Sequence, residues 1–186
     1  MLSIMWGTMM RGNEVGGMQL AGLRLADGSS ALPKLWLVLT LAPGEEWLIK
    51  PVQTKTEKAN VVRPRRVQFG VVAHDLDPGV WVHRALLTAT LARQPITGHL
   101  VRPMTRDRQG FKEAPLKSTA LNCVLKKRLS EAGVLAGQTP HGIRRGAIQA
   151  AGAAGRCPQE VMEQAHMVTP GVFQRYMDPV RHLRDR

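Results

Sequence analysis

Aromatic side chains are scarce in this chain. They make up 4% of its 186 residues, and tyrosine occurs once, at Tyr176. RNA and single-stranded nucleic acid are usually held on aromatic platforms set among basic residues, and so sparse a supply forms no such platform. Cysteine is as rare. Cys123 and Cys157 share no CxxC or Cys/His spacing. That excludes a disulfide framework and a zinc site, and leaves two reduced, buried or half-buried thiols as the expectation for an intracellular protein. No apolar stretch approaches the ~20 residues of a membrane span. The apolar opening is interrupted by Trp6-Gly7-Thr8 and has no basic leader, so neither a signal peptide nor a membrane anchor is expected.

Acid is the other shortage. Fourteen Asp and Glu face 26 Lys and Arg, a formal charge of +12, and the sequence pI is near 10.8. A surface this basic attracts polyanions, and counterions released from nucleic acid would supply the affinity. The length fits one domain, spanning residues 1–186, that can bury a core without covalent staples.

Along the chain, residues 1–24 carry spaced apolar groups and predict two short helices meeting near Gly12 and Gly16-Gly17. After the break Asp27-Gly28-Ser29-Ser30, strands are predicted at Leu35–Leu41, Trp47–Gln53 and about Val67–Ala73, forming a small antiparallel sheet. The second and third are joined by the polar turn Thr54-Lys55-Thr56-Glu57-Lys58. Helices follow at Trp81–Arg93 and Ser118–Ala132, the latter with an apolar stripe of Leu121, Val124, Leu125 and Leu129 and with Gly133 as its C-cap. Thr139-Pro140, Cys157-Pro158 and Thr169-Pro170 each start another, the threonines offering a capping hydroxyl before a proline at the first helical position. Strands early and helices late make this an α+β domain dominated by helices.

His141 and Arg144, three apart in His141-Gly142-Ile143-Arg144-Arg145, share one helix face and can reach one anion. A guanidinium holds two phosphate oxygens at once, and an imidazole donates to one or moves a proton. The helix N-terminus adds partial positive charge beside His141. HxxR alone is common and reads equally well as a solvated basic turn. Its context adds weight: Gln164-Ala165-His166 follows, and ten residues later Tyr176 stands in Val172-Phe173-Gln174-Arg175-Tyr176-Met177-Asp178. Upstream, Thr8-Met9-Met10-Arg11-Gly12-Asn13-Glu14 sets an arginine after an apolar helix with an acid three residues on.

At these points the chain resembles the tyrosine recombinase/integrase family, whose signature runs from an early arginine in a TGxRxxE-like context through HxxR and a His or Trp to the tyrosine. Order and spacing agree along nearly the whole chain. The phrases around His141 and Tyr176 look most like integrases of eukaryotic mobile elements, including the DIRS-type. The resemblance implies a mainly helical catalytic domain with a three-stranded antiparallel sheet. Its activity would be strand cleavage and rejoining of double-stranded DNA in recombination or integration, with self-association into a tetramer on DNA. It implies no metal, no cofactor and no small-molecule ligand, and a place with DNA in a nucleus or nucleoid.

By that resemblance Tyr176 attacks phosphorus and leaves a 3′-phosphotyrosyl link. Arg11 and Arg144 clamp the phosphate oxygens and stabilise the pentavalent transition state. His141 accepts a proton or donates to the phosphate, and His166 donates to a phosphate oxygen. Lys55, with Lys58 as its neighbouring alternative, protonates the departing 5′ oxygen. Glu14 orients Arg11. Arg24, Arg63, Arg65, Arg66, Lys117, Lys126 and Lys127 are assigned to DNA-backbone contacts or solvated charge. Phe173 is assigned to the core.

Met9 and Ala165 replace glycines usual in the family. The chain also starts about ten residues before Arg11, so the helical DNA-clamping domain of family members is expected to be absent. A truncated, inactive DNA-binding relic and a topoisomerase of type IB chemistry are the alternatives to an active recombinase.

Overall fold

A computed structural model describes residues 2–30, 46–51, 64–68, 77–94, 98–134 and 138–178. The chain enters through α1 (Leu2–Thr8) and α2 (Gly12–Gly16), the two short helices expected there. A 3-10 turn at Leu20–Gly22 leads into β1 (Leu23–Leu25). This strand pairs antiparallel with β2 (Glu46–Ile49), which pairs antiparallel with β3 (Arg65–Gln68). The register aligns Leu23 with Ile49 and Ile49 with Arg65, and all three side chains are buried.

The sheet differs from expectation in its first strand. The helical reading of residues 1–24 takes in Leu23 and Arg24, where β1 begins, because three residues are too few to show an alternating pattern. Residues 35–41, expected as a strand, lie outside the described residues, as do Lys55 and Lys58. The third strand begins two residues earlier than its apolar pattern suggests, at an arginine.

Five 3.6-period segments and their caps supply most of the rest. In α3 (Pro78–Leu91), Asp77 Oδ1 accepts from the amides of Gly79 and Val80 at 2.7 and 3.2 Å. That cap starts the helix three residues before its apolar run. Helix α4 (Ser118–Glu131) ends as predicted, with Gly133 in the left-handed region. It buries only Leu121 and Leu125, whereas Val124 is exposed. Pro140, Pro158 and Pro170 open α5 (Pro140–Ala153), α6 (Pro158–Ala165) and α7 (Pro170–Met177). Thr139 and Thr169 hold the N-cap positions, but their hydroxyls make no capping hydrogen bond. The preset φ of proline, which fits the first helical turn, is the signal that remains. Both cysteines are exposed and free, correcting the expectation of burial: Cys123 lies off the buried stripe of α4, and Cys157 precedes α6.

The core divides in two. One cluster joins Ile4, Met5, Met10, Val15, Met18 and Leu20 to the sheet, to Val82 and Leu86 of α3, and to Leu121 of α4. The other packs Ala147, Ile148 and Ala151 of α5 with Val161, Met162 and Ala165 of α6, Phe173 of α7 and, from the other end of the chain, Met9. Among the described residues no helix is long and apolar enough to cross a membrane.

Gly16 marks a backbone crossing. A β-carbon there would press into the Leu116 carbonyl oxygen, a main-chain atom that cannot swing aside. Gly16→Ala is therefore expected to destabilise the fold by about 1–3 kcal/mol, read as a lowered midpoint in urea unfolding. An unchanged midpoint would show that the two segments can part freely.

Candidate functional site

The second cluster is tied together by an arginine. Arg144 of α5 is buried. Its Nη1 donates to the Met9 carbonyl at 2.5 Å and its Nη2 to the Ala165 carbonyl at 2.6 Å. One guanidinium thus ties the segment before Arg11 to the end of α6. Burial, and then the charge of Arg11, lower Arg144 from the ordinary arginine value. That value is so high that the side chain keeps its charge at neutral pH. Its Nε is buried and has no hydrogen-bond partner among the described residues.

Tyr176 stands over this arginine on α7. The Arg144 Cζ lies 5.6 Å from the centre of its ring, and the His141 ring lies 5.4 Å from it, tilted by 49°. Gln149 Nε2 donates to the Tyr176 carbonyl at 2.9 Å, fastening α7 to α5. Phe173, one turn earlier, is buried as expected. His141 sits at the exposed rim in the first turn of α5. Partial burial and the charges of Arg144, Arg145 and Arg11 push it below the usual histidine range. A neutral imidazole beside a phenol can take its proton.

Arg11 occupies the N-cap of α2. Glu14 Oε2 accepts from the Arg11 amide and Oε1 from Arg11 Nη1, both at 2.8 Å. Glu14 itself is buried, so this is a held ion pair rather than a solvated one. Arg65 reaches the same carboxylate, Nη2 to Oε2 at 3.8 Å. Its Nη1 donates to the Gln164 carbonyl at 2.7 Å.

This corrects the assignment of Arg65 to DNA-backbone contacts or solvated charge, since its side chain is fully buried. The expected start at Val67 leaves Arg65 outside the strand, which in fact begins there. Gln164, beside His166, adds bonds from Nε2 to the carbonyls of Arg66 and Gly7, at 3.0 and 3.3 Å.

His166 follows directly on Ala165, whose carbonyl Arg144 holds, and caps α6 in the left-handed region at φ 49°. The two glycine replacements fare differently. Met9 takes φ 54°, a conformation glycine adopts without strain, whereas Ala165 is an ordinary buried helical residue and the left-handed position falls on His166. Arg11, His141, Arg144 and Tyr176 are thus coupled by charge or ring contact, and the backbone of His166 is pinned beside them. Among the described residues no group of three or more His, Cys, Asp or Glu side chains could hold a metal ion.

A histidine held below its ordinary value binds its proton more weakly in the folded chain than in the unfolded one. Stability is therefore expected to fall as pH drops below about 6.5 and to level off below the depressed folded value. Thermal melts of wild type and His141→Gln from neutral to mildly acidic pH test this. Parallel curves for the two proteins would exclude His141 as a source of the acid sensitivity.

No family model and no curated protein sequence matches the chain. Solved structures do. It superposes on XerA recombinase with a TM-score of 0.61 at 14% identity, over 98% of this chain and 52% of that one. XerH site-specific recombinase, bound to its difH substrate in a pre-cleavage complex, gives 0.58 at 14% identity, over 99% and 43%. The Tn1549 transposon integrase in complex with transposon right end DNA gives 0.52 at 13% identity, over 100% and 57%. The chain spans about half the length of the structures it matches.

Proposed function

On the premise of its fold, which is that of the tyrosine recombinase catalytic domain, we propose that the chain cleaves and rejoins double-stranded DNA through Tyr176. The observation that carries this reading is the contact of Arg144 and His141 with the ring of the only tyrosine of the sequence, with the charge of Arg11 felt by both.

A phenol is a poor nucleophile at neutral pH and needs a cationic, proton-accepting setting. Here the Tyr176 hydroxyl passes its proton to the neutral His141 while its oxygen attacks phosphorus in line. The bond from phosphorus to the 5′ oxygen breaks as the bond to tyrosine forms, leaving a 3′-phosphotyrosyl link. Arg11 and Arg144 face the phosphate and offset the charge that grows on it. Because Glu14 and the two main-chain carbonyls already hold those guanidiniums, little reorganisation is needed. His166 is assigned to donate to a phosphate oxygen. Lys55 is assigned to protonate the departing oxygen.

The ester energy stays in the protein–DNA bond, so rejoining to a second 5′ hydroxyl needs no nucleotide cofactor. Such an exchange, run between two duplexes by a DNA-bound tetramer, would integrate or excise a mobile element in the nucleus or nucleoid.

The test is a labelled duplex nicked close to the cleavage point, with candidate sites taken from the DNA flanking the gene, at low salt. The nick lets the short 5′ fragment diffuse away and traps the adduct. A protein-sized band on a denaturing gel, with the nucleotide mapped to the peptide containing Tyr176, is the expected result. An adduct on any other residue, or none under conditions where the duplex is bound, would sink the proposal.

A further inference from the structure

Residues 98–117, on the connection from α3 to α4, carry Arg102, Arg106, Arg108, Lys112 and Lys117 against Asp107 and Glu113. Met104 and Phe111 pair as an antiparallel bridge around a tight turn. Thr105 and Gly110 exchange backbone and hydroxyl hydrogen bonds, and Asp107 Oδ1 accepts from the Thr105 hydroxyl and the Gln109 amide. Those bonds hold the Asp107 carboxyl below its usual range and use the acid in shaping the turn. Gln94, just past α3, clamps the turn from outside: its Nε2 donates to the Phe111 carbonyl and its Oε1 accepts from the Phe111 amide.

Two positions in this assembly need the left-handed backbone that glycine supplies cheaply, and both are arginine. Arg93 ends α3 at φ 51°, and Arg108 sits in the turn at φ 60°. The equivalent positions after α4 and α5 are Gly133 and Gly155. Side chains retained at a backbone cost indicate a use for the side chain. Arg93, Arg106, Arg108 and Lys112 are exposed, and none forms an ion pair among the described residues.

We infer that this clamped turn is a second DNA contact, in which Arg93 and Arg108, with Arg106 and Lys112, grip backbone phosphates beside the cleavage point. The inference rests on the DNA reading above. Position supports it: Leu116, at the base of the segment, lies against Gly16 at the far end of α2, and that five-residue helix is only about 7.5 Å long. Arg11 at its start and the base of the charged segment can therefore meet one duplex. The contact is with phosphate and reads no sequence.

The experiment pairs two readouts of opposite sign. Arg93→Gly/Arg108→Gly is expected to melt at the wild-type temperature or a few degrees above it, because strain is relieved at both sites. The salt dependence of its duplex binding is expected to weaken by about 2 in the slope of log K against log salt, roughly one unit per lost phosphate contact. A variant that stays folded with the wild-type slope would overturn the inference while leaving the DNA reading intact. Wild-type protein that shows no salt-sensitive duplex binding would overturn both.

Discussion

Tyr176→Phe is expected to abolish the covalent DNA adduct while leaving the fold and duplex affinity close to wild type. Most of the contacts that seat this residue belong to its ring and its main chain, and its hydroxyl adds a hydrogen bond with the Arg144 side chain. The ring meets His141 and Arg144, and the carbonyl accepts from Gln149. Phenylalanine keeps all three. Removing the hydroxyl of this half-buried residue, with its hydrogen bond, costs about 1–2 kcal/mol, too little to unfold the chain, but it removes the only atom proposed to bond phosphorus. Denaturing gels would read the adduct, and filter binding on the same duplex would read the affinity. An adduct that survives in the phenylalanine variant would remove Tyr176 from the mechanism. Loss of binding along with the adduct would instead mean that the hydroxyl supports the interface.

Arg144→Lys is expected to fail twice, once in the fold and once in the chemistry. A guanidinium reaches the Met9 and Ala165 carbonyls together because its nitrogens diverge in a plane, whereas an ammonium on a flexible stem holds one of them well at most. A buried carbonyl left without its donor costs about 1–3 kcal/mol. The melting temperature is therefore expected to fall by about 2–12 °C. Because the two carbonyls belong to the segments carrying Arg11 and His166, the site loosens even where the chain stays folded. Single-turnover cleavage measured well below the melting transition is expected to drop by about 10²–10³-fold, the usual effect of deleting one preorganised donor. Cleavage at the wild-type rate in a folded lysine variant would mean that Arg144 is a structural bolt without a part in the reaction.

Much of the candidate site was visible in the sequence because its signals are local. His141 and Arg144 share a face by helical spacing alone, and the prolines at 140, 158 and 170 place the starts of the three helices that converge there. Sequence spacing could not reveal what holds the site. Arg65 looked like one of several surface arginines until strand pairing set it opposite Ile49, facing inward. Glu14 could be paired with Arg11 from its spacing, but its burial against two arginines depends on contacts spanning the chain. The sheet was only partly legible. β2 carries a recognisable apolar run, whereas β1 is three residues long and takes its identity wholly from its partner.

Arg144 joins residues 135 positions apart when it binds Met9. The site therefore has no local route to assembly, and loop closure must precede it. Arg11 leaves the ribosome early and Tyr176 late, so a nascent chain holds its cations long before it holds its nucleophile. Release of the Met9 carbonyl in the finished protein would free the segment carrying Arg11 from the second cluster and separate them again. Exchange of the amide hydrogens around Met9 and Ala165 should then run ahead of exchange within the cores of α3 and α5.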